Sequence, residues 1–302
     1  MATTSYGWVH LSAETIANTV VTQGSQGHVA LAANTAGTGY LTTWIDLPAA
    51  PLARTVGRLF GGDGAPIGGE LPLTAPSSLI QHGPDIAALP DGRFVVSYSE
   101  LQPGVIEDVR AAILSADGTL ITTLDVAVGS FAEYGGDVTA LEDGGFAFSW
   151  SRKLGAGNED IYISVYNADG SVRQAPRAIN VNPEKASYPS MAGLADGGFV
   201  VAWEQDPAGG IDGEVRFRRF DALGDPLDGT DAAGVLIDDV GSFNRDIQVA
   251  RLPNGGFVVA YADDSWGTAI DVTARMYNAN GLASSGFILA NSPINGASTL
   301  GH

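Results

Sequence analysis

The chain has 302 residues, of which 34 are acidic and 15 basic, so its formal net charge is −19, and it contains no cysteine. The missing thiols exclude disulfides, cysteine nucleophiles and thiolate metal sites. The negative charge disfavours binding to nucleic acid or anionic membranes, and no apolar stretch approaches the roughly 18 residues of a membrane span, so we expect neither partner.

From residue 28 onward the sequence repeats a short pattern of turn, apolar run and aromatic residue. The turns are Asp91-Gly92, Asp143-Gly144, Asp196-Gly197 and Asn254-Gly255, and Gly37-Thr38-Gly39 marks a weaker first copy. The aromatic residues that end the apolar runs are Trp44, Tyr98, Trp150, Trp203 and Tyr261. A second series of turns alternates with the first, at Asp63-Gly64, Asp117-Gly118, Asp169-Gly170, Leu223-Gly224 and Asn280-Gly281.

The two series of turns predict two hairpins, and therefore four strands, in each repeat. Asp-Gly and Asn-Gly between apolar runs are strong hairpin signals, and we expect type I′ turns with positive φ at both central residues. A period of about 50 residues with four strands is typical of a propeller blade. We therefore predict an all-β fold, a β-propeller of four-stranded blades, with five blades at about residues 28–83, 84–136, 137–189, 190–246 and 247–302.

The chain ends bear on how the ring closes within this predicted single domain, residues 1–302. Residues 1–27 contain a segment from Tyr6 to Thr22 that resembles half of a further repeat. It is expected either to supply a strand that closes the ring or to complete a sixth blade, which is the alternative to five. The segment from Phe287 to Asn291 reads as an outermost strand.

The repeat resembles a known group of sequences. The phrase from Leu194 to Trp203, Leu-Ala-Asp-Gly-Gly-Phe-Val-Val-Ala-Trp, together with the segment from Val215 to Gly224, looks like the repeats of large bacterial secreted and surface proteins that also carry haemolysin-type calcium-binding (RTX) modules. The resemblance implies an extracellular or cell-surface location, often as part of an adhesin. It does not extend to the calcium-binding nonapeptide, which is absent here, and it implies no particular chemistry.

Candidate binding residues are expected on the face where the loops between blades meet, because propellers usually bind ligands there, near the axis. The strand-ending aromatic residues are instead predicted to pack between blades. A residue repeated in every blade is expected to serve a contact that every blade makes, and that contact is the packing against the neighbouring blade. The candidate ligand-binding residues are Asp46, His82, Asp85, Glu100, Tyr134, Asp137, Tyr188, Glu204, Asp206, Asp246, Asp263 and Trp266.

These residue types suit sugar recognition. Carboxylates accept hydrogen bonds from sugar hydroxyls or supply oxygen ligands to Ca²⁺, the one cofactor considered, and aromatic rings stack on the apolar face of a sugar. We favour a non-catalytic module that binds a glycan or an extracellular protein. A structural spacer of a large adhesin is the second hypothesis. A glycoside hydrolase or lyase with axial carboxylates is the third, drawing on Asp85, Asp137, Glu204 and Asp246.

Overall fold

A computed structural model of the chain describes residue 17 and residues 25–49, 52–74, 81–102, 106–155, 157–180, 185–206, 213–229, 233–238, 245–263 and 270–290. These residues form twenty β-strands and no helix. Accordingly, the described part of the chain has no helix of the length and hydropathy needed to span a membrane.

The strands follow one another in groups of four. Blade 1 contains β1 (Ser25–Ala33), β2 (Gly39–Ala49), β3 (Leu52–Gly61) and β4 (Pro66–Pro72). Blade 2 contains β5 (Gln81–Ala88), β6 (Phe94–Gln102), β7 (Ile106–Leu114) and β8 (Leu120–Ala127). Blade 3 contains β9 (Ala132–Ala140), β10 (Phe146–Gly155), β11 (Asn158–Tyr166) and β12 (Val172–Ala178). Blade 4 contains β13 (Lys185–Gly193), β14 (Phe199–Asp206), β15 (Glu214–Phe220) and β16 (Val235–Asp238), and blade 5 contains β17 (Arg245–Arg251), β18 (Phe257–Asp263), β19 (Asp271–Tyr277) and β20 (Ile288–Leu289).

Each group is an antiparallel meander in which consecutive strands pair in chain order. The five sheets form a five-bladed β-propeller, which confirms the predicted fold class and the main prediction of blade number. The pairing of β19 with β20 makes the segment after Phe287 the outermost strand of blade 5, as expected. Each blade begins a few residues before the predicted repeat boundary, because the innermost strand extends past a β-bulge near its start.

The hairpin turns differ in type from the prediction. In blade 2 the Gly92 amide donates to the Leu89 carbonyl and the Leu89 amide donates to the Arg93 carbonyl, which makes a three-residue loop. Gly92 has a φ of 91°, but Asp91 is not among the residues with positive φ. The loop is therefore a type I turn followed by a left-handed glycine rather than a type I′ turn. The Asp91 carboxylate accepts from the Arg93 amide and so stabilises the turn locally.

The hydrophobic core lies between blades rather than within one central layer. Four clusters of buried apolar residues join blade 1 to blade 2, blade 2 to blade 3, blade 3 to blade 4 and blade 4 to blade 5. The described residues include no such cluster between blade 5 and blade 1. The repeated aromatic residues lie within the second strands and not at their ends, because each strand continues for two to five residues beyond them. All are at most 5% exposed, namely Trp44, Tyr98, Trp150, Trp203 and Tyr261. The last four lie in the clusters between blades, as the repeat pattern predicts.

The predicted N-terminal contribution lies almost wholly outside the described residues. The exception is Ala17, whose carbonyl accepts a hydrogen bond of 2.9 Å from Arg58 Nη1 on β3. Arg58 is buried in blade 1. This contact ties residue 17 to the first blade, and the role of the N-terminal segment in closing the ring stays a prediction.

Candidate functional site

An axial channel of about 640 Å³ runs between the innermost strands. Its walls come from β5, β9, β13 and β17, which are the first strands of blades 2 to 5. The end of the channel at which these strands begin is the face on which the loops between blades meet. We call this end the channel mouth.

A second cavity of about 580 Å³ opens at the channel mouth over blades 4 and 5. Three predicted site residues line it, namely Tyr188 and Glu204 from blade 4 and Asp246 from blade 5. The remaining lining residues are Gly135, Pro189, Ile247 and Gln248. Tyr188 is 56% exposed, which is unusual for a large aromatic side chain inside a repeat architecture.

The same irregularity occurs at the mouth end of every innermost strand. The pairing of the first and second strands of each blade shifts register there, so each first strand carries a β-bulge. The first bulged residue has a left-handed backbone in all five blades: His28 with φ 53°, Gly83 with φ 30°, Gly135 with φ 66°, Tyr188 with φ 53° and Asp246 with φ 56°. We call this the bulge position.

Contacts from blade 3 hold Tyr188 in place. Its backbone amide donates to Ser151 Oγ over 3.2 Å, and its ring meets that of Tyr134 edge to face at 6.2 Å. Tyr134 in turn donates from its hydroxyl to Glu159. Burial, followed by this hydrogen bond to Glu159, raises the pKa of Tyr134, so the phenol remains a protonated donor. The Tyr188 ring therefore has a fixed neighbour on one side and an open cavity on the other.

The carboxylates of Asp85 and Asp137 line the axial channel, and each accepts a hydrogen bond from the next blade. Asp85 Oδ2 accepts from the Val138 amide of blade 3 over 3.0 Å, and Asp137 Oδ2 accepts from the Met191 amide of blade 4 over 2.8 Å. Ser190 takes the same position in blade 4 and accepts from the Val249 amide. Burial, and next the neighbouring Asp85 carboxylate with which it is hydrogen-bonded, raises the pKa of Asp137 well above its usual range.

Two predicted site residues are buried inside their blades. Asp46 is 1% exposed and pairs with Arg54 at 2.8 Å, while Asp263 is fully buried and accepts from Thr273 Oγ1. Each follows the repeated aromatic residue of its blade by two positions within the same strand. Because side chains alternate along a strand, these carboxylates share the packed face of Trp44 and Tyr261 instead of facing the mouth.

The other predicted residues have intramolecular partners or lie outside the described structure. Glu100 pairs with Arg110 at 3.2 Å, and Asp206 pairs with Lys185 at 3.7 Å. His82 lies in β5, but its side chain is outside the described residues, as is the whole of Trp266. Of the twelve predicted site residues, the structure thus brings Tyr188, Glu204 and Asp246 together at one cavity.

The opposite end of the channel is crossed by an ion pair. A cavity of about 380 Å³ there is lined by residues of blades 1, 2, 3 and 5. Glu142 of blade 3 pairs across it with Arg251 of blade 5, two blades that are not neighbours in the ring.

Sequence reasoning missed the bulge position and the backbone groups around it. The signal was present, because Gly83 and Gly135 stand at the same offset before Phe94 and Phe146 as Tyr188 does before Phe199. Aligned glycines indicate a position with positive φ. Calcium binding stays a prediction, and within the described ranges no group of three or more His, Asp or Glu side chains has the arrangement of a metal site.

No protein-family model and no curated protein matches this sequence, but solved structures match its fold. An endo-arabinase from Bacteroides thetaiotaomicron VPI-5482 is 11% identical with a TM-score of 0.52, and the alignment covers 86% of this chain and 96% of the arabinase. A thermostable family-43 glycoside hydrolase is 12% identical with a TM-score of 0.51, covering 92% of this chain and 98% of the hydrolase. At these identities the similarity shows a shared fold.

Proposed function

We propose that this protein binds a polysaccharide at the channel mouth. The observation that carries the proposal is the half-exposed ring of Tyr188 in the same 580 Å³ cavity as the carboxylates of Glu204 and Asp246. A pyranose or furanose has an apolar face and a rim of hydroxyl donors. An exposed aromatic ring can therefore stack on the sugar while neighbouring carboxylates accept hydrogen bonds from its hydroxyls. The resemblance to secreted repeat proteins leads us to expect an extracellular polysaccharide.

Hydrolysis of the bound glycan has more support than binding alone. Both solved structures described above are named as enzymes that act on glycosidic bonds, and their alignments span nearly the whole propeller. Glycosidases use two carboxyl groups that flank the scissile bond, one as acid and one as base or nucleophile. We propose Glu204 and Asp246 for these roles, because they reach one cavity from adjacent blades.

Asp85 and Asp137 fit the catalytic roles less well, although the sequence suggested them. Their carboxyl groups are hydrogen-bonded to one another, whereas a glycosidase keeps its pair about 5 to 9.5 Å apart to leave room for the sugar or water. The Asp137 oxygens also accept from the Val138 and Met191 amides. These two carboxylates hold neighbouring blades together, and their oxygens already accept hydrogen bonds from backbone amides.

Substitutions at the mouth test the proposal. We expect Tyr188→Ala to weaken binding of a soluble polysaccharide by about 10-fold, equivalent to about 1.4 kcal/mol, because it removes the ring on which the sugar stacks. Binding is measured by affinity electrophoresis against arabinan, xylan and galactan. Reducing-end release from the same polymers measures hydrolysis, and Glu204→Gln and Asp246→Asn should abolish it while retaining part of the binding.

Phe131→Ala is the control, because Phe131 is an exposed ring of blade 3 that does not line the cavity. It should bind as the wild type does. Binding without any product release would favour a lectin-like module, the reading we preferred from sequence. Wild-type protein that neither binds nor cleaves any polysaccharide would contradict the proposal and favour a spacer or a protein-binding module.

A further inference from the structure

Three blades carry an arginine at the same position of the third strand, namely Arg58, Arg218 and Arg275. Arg218 of blade 4 donates from Nη1 to the carbonyl of Ile179 in blade 3 over 2.7 Å. Arg275 of blade 5 donates from Nη1 to the carbonyl of Ile237 in blade 4 over 3.2 Å. Ile237 lies in the outermost strand of its blade, and Ile179 directly follows such a strand. Each of these two arginines therefore joins its own blade to the end of the outermost strand of the blade before it.

Residue 17 takes the corresponding place for blade 1. The Ala17 carbonyl accepts from Arg58 Nη1 over 2.9 Å, a contact that spans 41 residues of the chain, against 39 and 38 for the other two arginines. The sequence agrees, because Ala17-Asn18 recurs as Ala290-Asn291 directly after the outermost strand of blade 5. Residue 17 is therefore placed against blade 1 as the end of a preceding blade's outermost strand would be.

Blade 5 does not need residue 17 to fill its own outermost position. Its fourth strand is β20, and the Ala290 amide that follows donates to the Val272 carbonyl over 2.8 Å. The Ile179 amide makes the same bond to the Ile161 carbonyl in blade 3, also over 2.8 Å. Ala290 is thus the counterpart of Ile179 in blade 5, and residue 17 does not belong to the fourth strand of that blade.

The face of blade 1 that carries Arg58 is buried in its outer part. Trp44 and Phe60 lie on this face and are each 3% exposed, but neither belongs to the cluster that joins blade 1 to blade 2. Their counterparts in blade 4, Trp203 and Phe220, pack against blade 3. By this correspondence Trp44 and Phe60 face the side of blade 1 on which, within the described ranges, no cluster with blade 5 is found.

The inner part of the same face is open. Leu31 on the innermost strand is 66% exposed, whereas Met191 at the corresponding position of blade 4 is 6% exposed. Val272 of blade 5 is 44% exposed, whereas its counterpart Val215 in blade 4 is fully buried. The cover over Trp44 is therefore narrower than a four-stranded blade, which suits a short segment of chain.

We infer that the N-terminal segment, residues 1–24, packs on this face of blade 1, lies over Trp44 and Phe60, and is anchored by Arg58 through the carbonyl of residue 17. The Arg58 contact identifies the occupant as this chain's own N-terminal segment. Because β20 holds the fourth place in blade 5, the segment adds to blade 1 and does not complete blade 5. The inference is independent of the proposed function.

Hydrogen exchange of the full chain, read by mass spectrometry, tests the inference. In the wild type we expect amides within residues 1–24 to exchange at least about 10-fold more slowly than in an unstructured peptide. Arg58→Ala removes the donor to residue 17 and should raise these rates by about 10-fold, since a hydrogen bond from a charged group is lost. Exchange in blades 3 to 5 should stay as in the wild type.

Two matched controls locate the effect. Arg218→Ala removes the equivalent contact between blades 3 and 4, so it should speed exchange around Ile179 and leave residues 1–24 unchanged. Val272→Asp places a charge on the exposed face of blade 5 and should also leave residues 1–24 unchanged. Arg58→Lys retains the charge without the fork of donors, and it should speed exchange of residues 1–24 by a smaller factor of about 3-fold.

Three results would overturn the inference. The first is exchange of residues 1–24 at the rate of an unstructured peptide in the wild type. The second is wild-type exchange of these residues in the Arg58 variants, and if Arg58→Ala does not fold, Arg58→Lys alone decides. The third is faster exchange of residues 1–24 in Val272→Asp, because that would place the segment on blade 5.

Discussion

Phe199→Asp is expected to leave the protein unfolded at 25 °C. Phe199 is fully buried in the cluster between blades 3 and 4, where its ring stacks on Phe220 at a centroid distance of 5.0 Å. Loss of a buried phenylalanine costs about 3–5 kcal/mol, and burying an unpaired carboxylate adds several more. The sum is comparable to the whole stability of a typical domain, about 5–15 kcal/mol.

Circular dichroism during thermal unfolding measures this effect. The control is Val172→Asp on the outermost strand β12, where the side chain is 55% exposed and a charge can stay in water. It should melt within a few degrees of the wild type. A Phe199→Asp variant with the wild-type melting temperature would mean that the packing between blades 3 and 4 is wrong.

Asp137→Ala is expected to destabilise the ring by about 1–3 kcal/mol. It removes the acceptor of the Met191 amide and so leaves a donor unpaired between blades 3 and 4. Asp85→Asn is the matched variant, because its amide oxygen can still accept from the Val138 amide while its NH₂ group donates to Asp137. We expect that variant to be as stable as the wild type at pH 4 and more stable at pH 8.

The direction of this pH effect follows from the raised pKa of Asp137. A carboxyl group with a higher pKa in the folded state binds more protons when folded, so stability falls as the pH rises above the ordinary aspartate value of 3.8 and toward the raised one. An amide at residue 85 removes the like charge that contributes to this shift. Melting temperatures across pH 4–8 should therefore decline less in Asp85→Asn than in the wild type. Parallel declines in the two proteins would show that the two carboxyl groups do not interact.

The repeat pattern predicted most of the fold because its signals are local. Asp91-Gly92 and its counterparts fix a chain reversal through their own backbone preferences, and the apolar run after each turn can only form a buried strand. The position of Trp203 in every repeat also indicated its packing role, which the structure confirms. The turn type was predicted wrongly, because the dipeptide alone does not distinguish a two-residue loop from a three-residue loop.

The four-stranded repeat, the five blades and the buried aromatic residues could be predicted from the sequence, since their signals recur in every repeat. Which acids lie at the channel mouth depends on how the blades pack. Side-chain alternation already separates Asp46, two positions after Trp44, from Glu204, one position after Trp203, but it does not show that Glu204 reaches the same cavity as Asp246 of the next blade. Tyr188, Glu204 and Asp246 come together there only when blades 4 and 5 pack around the axis. That arrangement depends on contacts between repeats, which no local pattern encodes.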